Sequence, residues 1–272
     1  MRILFLLACI VLVSTSCTEV IDVDLNDGQE RLVIEASIDW EKGTEGKTQS
    51  IKLSHSTPFY SQNGGRPAEG ATVKITKTDD NKVFLFEDSG NGLYTTQVFE
   101  PAVGVEYALE IVYNGKTYIA KETMYGVSEI DSIEENKEGG FGGDEIEIEV
   151  FAKDPEDERN YYFCEFSLEN GKKLSQDVRN DEFENGNRVR FDYEWEDDPA
   201  GELINVKLYG ISKNYYNFMG ILIEQSEGQD GPFPTVPVPL KGNCLNKDNP
   251  DEEVLGYFRL SQFVRGQHKL SE

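Results

Sequence analysis

Arg31-Leu32-Val33-Ile34-Glu35-Ala36-Ser37-Ile38-Asp39 is the stretch from which the fold can be read. Leu32, Ile34, Ala36 and Ile38 alternate with Arg31, Glu35, Ser37 and Asp39, and Val33 is the one apolar residue out of phase. A period of two puts alternate side chains on opposite faces of an extended backbone, so the segment is a strand with one buried face. The same signal recurs at 50–54, 71–78, 83–87, 93–98, 105–113 and 116–121. Asn114-Gly115 between the last two is a hairpin turn, because both residues tolerate the positive φ that a two-residue turn demands. About seven short strands with no helical stretch predict an immunoglobulin-like or transthyretin-like β-sandwich over residues 30–125.

Downstream, Glu134-Glu135-Asn136-Lys137-Glu138-Gly139-Gly140-Phe141-Gly142-Gly143 has the glycine and charge content of a connection, so 126–145 reads as a linker. A second β-rich unit, 146–267, is expected from strand patterns at 146–152, 161–168, 189–195 and 203–211, with a closing strand at 256–264. Between them the period changes. Ser212 can cap a helix over about 212–226 in which Tyr215, Met219 and Leu222 recur at helical spacing. The predicted fold is therefore mainly β, a sandwich followed by a second β-rich unit carrying one amphipathic helix.

The chain of 272 residues has 51 Asp plus Glu against 26 Lys plus Arg, a net charge of −25. Such a charge argues against nucleic acid as a partner, since that binding rests on Lys and Arg replacing counterions along the phosphates. Aromatic residues at 11% are too many for a disordered acidic polymer.

Residues 1–16 read as a signal peptide: Arg2 precedes an apolar run, Ile3 to Val13, that is too short to span a bilayer comfortably. Ser14-Thr15-Ser16-Cys17 resembles the lipobox of bacterial lipoproteins, in which the cysteine becomes the acylated first residue of the mature chain. The implied anchor is Cys17, held stably in a membrane because more than one acyl chain is attached. Residues 17–29 form an acidic tether, Thr18-Glu19-Val20-Ile21-Asp22-Val23-Asp24. It resembles a surface-export signal of Bacteroidota lipoproteins, and it also has the alternation of a first strand or the charge of a solvated spacer.

Two cysteines then remain, Cys164 and Cys244. An exported compartment permits a disulfide between them, while the neighbours of Cys164, Tyr162, Phe166 and Leu168, suit a buried free thiol equally well. The two histidines, His55 and His268, lie in no catalytic motif, and no Gly-x-Ser-x-Gly, His-Glu-x-x-His, phosphate-binding glycine loop or Cys-x-x-Cys occurs. The acids are numerous enough for a glycosidase-type pair, yet nothing singles one out. Asp22 to Gly28 starts like an EF-hand loop and fails at its glycine and at Val33. Asp154-Pro155-Glu156-Asp157-Glu158 and Asp197-Asp198-Pro199 are oxygen-rich turns, open to a hard cation or to plain solvent. No cofactor or metal is expected. Trp40, Phe59, Tyr60, Trp195, Tyr215 and Tyr216 could form a stacking platform or belong to the core. Asp131-Ser132-Ile133 resembles the short O-glycosylation sequence of exported Bacteroidota proteins, which would modify Ser132, and it fits the start of the second unit as well.

The ordered set Leu32-Val33-Ile34-Glu35-Ala36, Gly70-Ala71-Thr72-Val73, Gly92-Leu93-Tyr94, Asp154-Pro155, Asn160-Tyr161-Tyr162, Gly231-Pro232-Phe233, Gly242-Asn243 and Leu255-Gly256-Tyr257-Phe258 resembles one family. It is an uncharacterised Bacteroidota lipoprotein family, a domain of unknown function, encoded beside TonB-dependent, SusC-like outer-membrane receptors. Cys244 departs from the aliphatic residue that would follow Gly-Asn. The resemblance implies an outer-membrane, surface-facing protein whose partner is such a receptor, and it brings no catalytic residues. The expected function is non-enzymatic ligand capture or delivery for that receptor, with stand-alone glycan binding as the alternative and a carboxylate-based hydrolase behind it. The loop Gly231-Pro232-Phe233-Pro234 is the candidate contact, since prolines pre-order an extended backbone and lower the entropy lost on binding.

Overall fold

In the computed structural model, the strand read from Leu32 onward is β1 (Leu32–Glu41), with Leu32, Ile34, Ala36 and Ile38 buried and Glu35 and Ser37 in solvent. The structure describes residues 30–57, 65–140, 143, 145–156, 158–183, 185–195, 201–227 and 238–271. The signal segment, Cys17, the tether to residue 29, Phe59, Tyr60 and Gly231 to Pro234 lie outside the described residues.

After β1 come β2 (Gln49–His55), β3 (Thr72–Lys77), β4 (Val83–Asp88), β5 (Leu93–Thr96), β6 (Glu106–Tyr113) and β7 (Lys116–Thr123). The β6–β7 turn places Asn114 at φ 49° and Gly115 at φ 75°, the conformation the Asn-Gly pair predicts. Next are β8 (Ile130–Gly139), β9 (Glu145–Lys153), β10 (Tyr161–Leu168), β11 (Lys173–Asn180), β12 (Arg188–Trp195) and β13 (Leu203–Gly210), then helix α1 (Lys213–Glu227), β14 (Leu245–Asn246) and β15 (Leu255–Lys269). Twelve strands make one sheet in the order β11-β10-β13-β15-β1-β2-β5-β4-β3-β6-β7-β14, and β12-β9-β8 make a second.

The long sheet folds over itself to make the N-terminal sandwich. Its interior holds Ile34, Ile51, Phe84, Tyr94, Tyr107 and Leu260, all buried. One seam of the sandwich is closed by Tyr125, whose N–H donates to the Leu260 carbonyl (3.3 Å) and whose carbonyl accepts the Gln262 N–H (2.8 Å). At the other seam, β4 meets β5 only through Glu87–Thr95 and Asp88–Tyr94.

β15 joins the two parts of the molecule. Its first half pairs parallel with β1, Val33 with Leu255 through Glu41 with Phe263, and its second half pairs antiparallel with β13. One strand thus contributes Phe258 and Leu260 to the first core, Val264 to a second, and Tyr257 and Phe263 to a third. The second core lies between β10–β13 and the small sheet, around Val150, Cys164, Phe166, Phe191 and Leu208. The third lies on the opposite face, where α1 seats Tyr215 and Met219 on Phe163 and Tyr209. Ser212 caps that helix, its Oγ accepting the Tyr215 N–H (3.1 Å), as the sequence suggests.

Two expectations are corrected. The stretch taken for a linker, 126–145, contains β8, which pairs with β9 from Ile130–Ala152 to Gly139–Glu145 with two register shifts. Asp131, Glu134, Lys137 and Glu138 face solvent while Ile130 and Ile133 pack on the second core and Glu135 binds Ser271, so a strand forms despite its composition. Cys164 and Cys244 are both free and buried, one in the second core and the other in the first, so no disulfide joins them.

Candidate functional site

The crossover from β7 to β8, Met124 to Glu129, is the covalent bridge at the closed seam, and grooves open on both sides of it. Its path is fixed by close packing. A Cβ on Gly210 would lie 1.8 Å from the Gly126 carbonyl oxygen, so the end of β13 approaches the crossover backbone as only glycine allows. Lys42 Nζ donates to the Val127 carbonyl (3.0 Å) and pairs with Glu129 (2.9 Å), and the Val127 N–H donates to Gln262 Oε1 (3.4 Å).

One cavity of about 360 Å³ lies here, lined by Tyr125, Ser128, Glu158, Arg159, Asn160 and Gln262 among others. A second, of about 520 Å³, shares Ser128 and Pro155 with it and continues past Lys42, Glu129, Asp131 and Lys153. Together they form a groove where the two parts of the chain meet, a common place for ligands to bind. Tyr125 is 37% exposed.

The floor of the groove is rigid. Asp154, which the sequence places in an oxygen-rich turn, points inward: Oδ1 accepts the Tyr162 hydroxyl (2.5 Å) and Oδ2 the Gly186 N–H (3.1 Å). Burial and the Asp154 carboxylate hold the Tyr162 hydroxyl far above its ordinary pKa. Asp181, fully buried, accepts the Asn160 N–H through Oδ2 (2.8 Å), while Oδ1 has no hydrogen bond and faces the Arg159 guanidinium at 3.6 Å.

A second polar cluster lies under α1. Arg259 is buried and donates to Asp39 Oδ1 (2.7 Å), with its guanidinium carbon 4.7 Å from the ring centroid of Tyr209, 5.0 Å from Tyr215 and 5.7 Å from Phe163. Burial opposes its charge, but Asp39 and the tyrosines outweigh that and raise its pKa. Desolvation raises the Asp39 carboxyl, partly offset by Arg259. Nearby, Glu122 of β7 accepts the Ser212 hydroxyl (2.9 Å) and the Tyr257 hydroxyl (3.3 Å), and burial raises its pKa. Its carboxyl thus lies beside the capping residue of α1, whose first turn carries no acid of its own.

Neither cluster pairs a nucleophile with a base. Burial pushes the Cys164 thiol well above its usual range and the Cys244 thiol up to about 12, which leaves no thiolate at neutral pH. His55 contacts the Tyr113 hydroxyl (2.9 Å) and His268 faces Glu135 (3.5 Å), far apart in the fold. Among the described residues no group of three or more His, Cys, Asp or Glu is placed to hold a metal ion.

The remaining sequence candidates are dispersed. Ser132 lies in β8, its hydroxyl donating to Glu134 (2.5 Å) and accepting from Arg188 (2.7 Å). Trp40 packs partly on the first core and donates Nε1–H to the Thr44 carbonyl (2.9 Å), and Trp195 packs on the second beside Tyr193. Tyr215 is core, and the Tyr216 hydroxyl accepts the Asn180 amide (2.9 Å). The described members of that aromatic set therefore form no common platform. Arg259 was missed, and its only trace in the sequence is a lone arginine in the apolar run Tyr257-Phe258-Arg259-Leu260.

Residues 18–267 match a family model described as a domain of unknown function, DUF4249. The chain belongs to that family. The DUF4249 match covers both parts of the fold and starts directly after Cys17. No curated protein matches the chain. Among solved structures, a DUF4785 family protein from Legionella pneumophila is 7% identical with a TM-score of 0.25, over 66% of this chain and 52% of that one. A cytokine receptor complex chain is 8% identical with a TM-score of 0.26, over 68% of this chain and 86% of that one. The chain thus spans about half the length of the first of these.

Proposed function

We propose that this DUF4249 protein is a lipid-anchored, non-enzymatic accessory of a TonB-dependent, SusC-like receptor at the outer membrane, where it captures a ligand and passes it on. The observation that carries the capture role is the junction groove: a buried, hydrogen-bonded floor, a partly exposed tyrosine and unlike charges, Lys42 and Glu129 in one cavity and Arg159 and Glu158 in the other, line two adjoining cavities that share Ser128 and Pro155. Such a lining suits a polar, uncharged or zwitterionic ligand, and the absence of an activated nucleophile among the described residues favours binding over turnover.

The anchor reading rests on the order of charge, apolar run and cysteine ending at Cys17, and on the start of the family match at the next residue. Acylation would confine the molecule to the membrane plane and raise its effective concentration beside a receptor, with residues 17–29 setting its reach. The receptor as partner comes from the resemblance to lipoproteins encoded beside such receptors. Residues 30–125 hold 14 acids and 10 bases, and 126–272 hold 33 and 15, so most of the net charge sits in the part of the fold distal to the tether.

Two experiments test the reading. Cys17→Ser should move the protein from the membrane to the soluble fraction, and retention of the variant in membranes would contradict the anchor. Glu158→Ala with Tyr125→Ala should abolish growth on whatever nutrient requires the gene while leaving protein level and membrane attachment unchanged. Full growth of the double variant would remove the groove from the account.

A further inference from the structure

Among the described residues, the half-open seam of the sandwich leaves the stretch of β4 ahead of Glu87 without a partner on one side, and its chemistry specifies what fits there. In the β3–β4 ladder, the Lys77 N–H donates to the Lys82 carbonyl (2.8 Å), and Ile75 and Val73 face Phe84 and Phe86. Peptide groups along an antiparallel strand point alternately to either side. Phe84 and Phe86 therefore bond to β3, and Val83, Leu85 and Glu87 turn their N–H and C=O away from it. Glu87 meets β5 through Thr95. Among the described residues, no hydrogen bond reaches the main chain of Val83 or Leu85. Their side chains are 50% and 60% exposed, the neighbouring Val98 64%.

Other edges of the two sheets carry devices that discourage pairing. β8 has two register shifts, and Glu135 on it binds Ser271 at the chain end. β14 has only two residues, and β11 and β12 carry Lys173, Asp177, Arg179, Arg188, Arg190, Asp192 and Glu194. By contrast, Val83-Phe84-Leu85-Phe86 has no charge and no proline between Lys82 and Glu87.

We infer that β4 pairs edge to edge with β4 of a second copy of this chain. The open groups match themselves. A two-fold axis through Phe84 sets Val83 opposite Leu85 of the other copy twice over, satisfying four main-chain groups on each strand and pairing aliphatic with aliphatic on the outer face. Lys82, which this axis sets opposite Phe86 of the other copy, is neutralised by Glu100 of its own chain, so the pairing brings no uncompensated charge to the shared edge. The strongly acidic second part of the chain is attached at the opposite seam, through Tyr125 and β15, so its repulsion acts from far off and is screened. This pairing is independent of the receptor and of the ligand groove.

The test uses the full chain in membranes of cells producing two differently tagged copies, one with Val83→Cys and the other with Leu85→Cys, under mild oxidation. Opposed positions lie about 5.5 Å apart between Cα atoms, within disulfide reach, whereas like positions are diagonal neighbours at about 7–8 Å. The mixed pair should cross-link about tenfold more than Val83→Cys with itself or Leu85→Cys with itself. Adding Leu85→Lys to the Val83→Cys copy should return the yield to background without changing the melting temperature. Equal yields in all combinations, no cross-link in any, or indifference to Leu85→Lys would overturn the inference.

Discussion

Arg259 and Asp39 yield an asymmetric prediction. The arginine is 6% exposed along its side chain, with one strong hydrogen bond, to Asp39, an Nε that has none, and three aromatic rings around its guanidinium. Asp39, on β1, is 32% exposed. Asp39→Ala leaves a buried cation facing Tyr209, Tyr215 and a more distant Glu165, and removing one partner of a buried pair costs about 3–5 kcal/mol. Arg259→Met keeps the stem packed and removes the desolvated cation, and Asp39, part-buried, keeps access to water on its exposed side, so the loss is limited to the ion pair and the aromatic contacts, about 1–2 kcal/mol. In the double variant the orphaned charge is gone, and its stability should lie close to that of Arg259→Met, a coupling of about 3–5 kcal/mol, the whole cost of Asp39→Ala. Urea unfolding of the signal-less chain with Cys17→Ser, followed by fluorescence, measures all four corners. Melting temperatures should follow the same order, at roughly 2–4 °C per kcal/mol for a chain of this size. If Arg259→Met is as damaging as Asp39→Ala, or if the two effects simply add, the cluster is not an ion pair held together against desolvation and the reasoning fails.

Three further outcomes follow from the same structure. Glu122 has a raised pKa in the fold, so the native state binds its proton more tightly than the unfolded chain, and this contribution to stability is lost as pH rises from 4.5 through the raised value. Glu122→Gln should therefore gain stability relative to the parent between pH 4 and pH 7 in denaturation series, and a gap that is constant with pH would contradict the burial argument. Gly256 has φ +96° and a Cβ there would lie 2.0 Å from the Ile34 carbonyl oxygen, whereas Gly115, at φ +75°, faces open space. Gly256→Ala should abolish soluble folding while Gly115→Ala costs about 1 kcal/mol, as expression and melting curves would show. Cys164 and Cys244 should resist thiol reagents until the protein unfolds, and reductant should leave the melting temperature unchanged; a shift on reduction would reveal a bridge.

Much of the fold follows from local pattern. β1, the Asn114-Gly115 hairpin and α1 could be read directly, because each is specified by its own periodicity, turn chemistry or cap. β8 could not, since its glycine and charge content is that of a loop and its strand character comes from pairing with β9. β11, Lys-Leu-Ser-Gln-Asp-Val-Arg-Asn, carries no clean alternation and is held by β10 and the overlying helix. The parallel pairing of β1 with β15, more than 200 residues apart, leaves no local signature, and it is what merges two expected units around one strand. The candidate site was less legible still. Asp154 reads as a surface turn until Tyr162 and Gly186 are seen to enclose it, and Arg259 becomes a buried cation only when α1 and Asp39 converge on it.

The proposed partnership is tested most directly by extracting the tagged full chain from its own membranes in mild detergent, beside the Cys17→Ser variant, and analysing what co-elutes. A TonB-dependent receptor should accompany the parent protein in near-stoichiometric amount and be lost with Cys17→Ser. A parent protein that fractionates with the membrane yet repeatedly elutes without any such receptor would contradict the account.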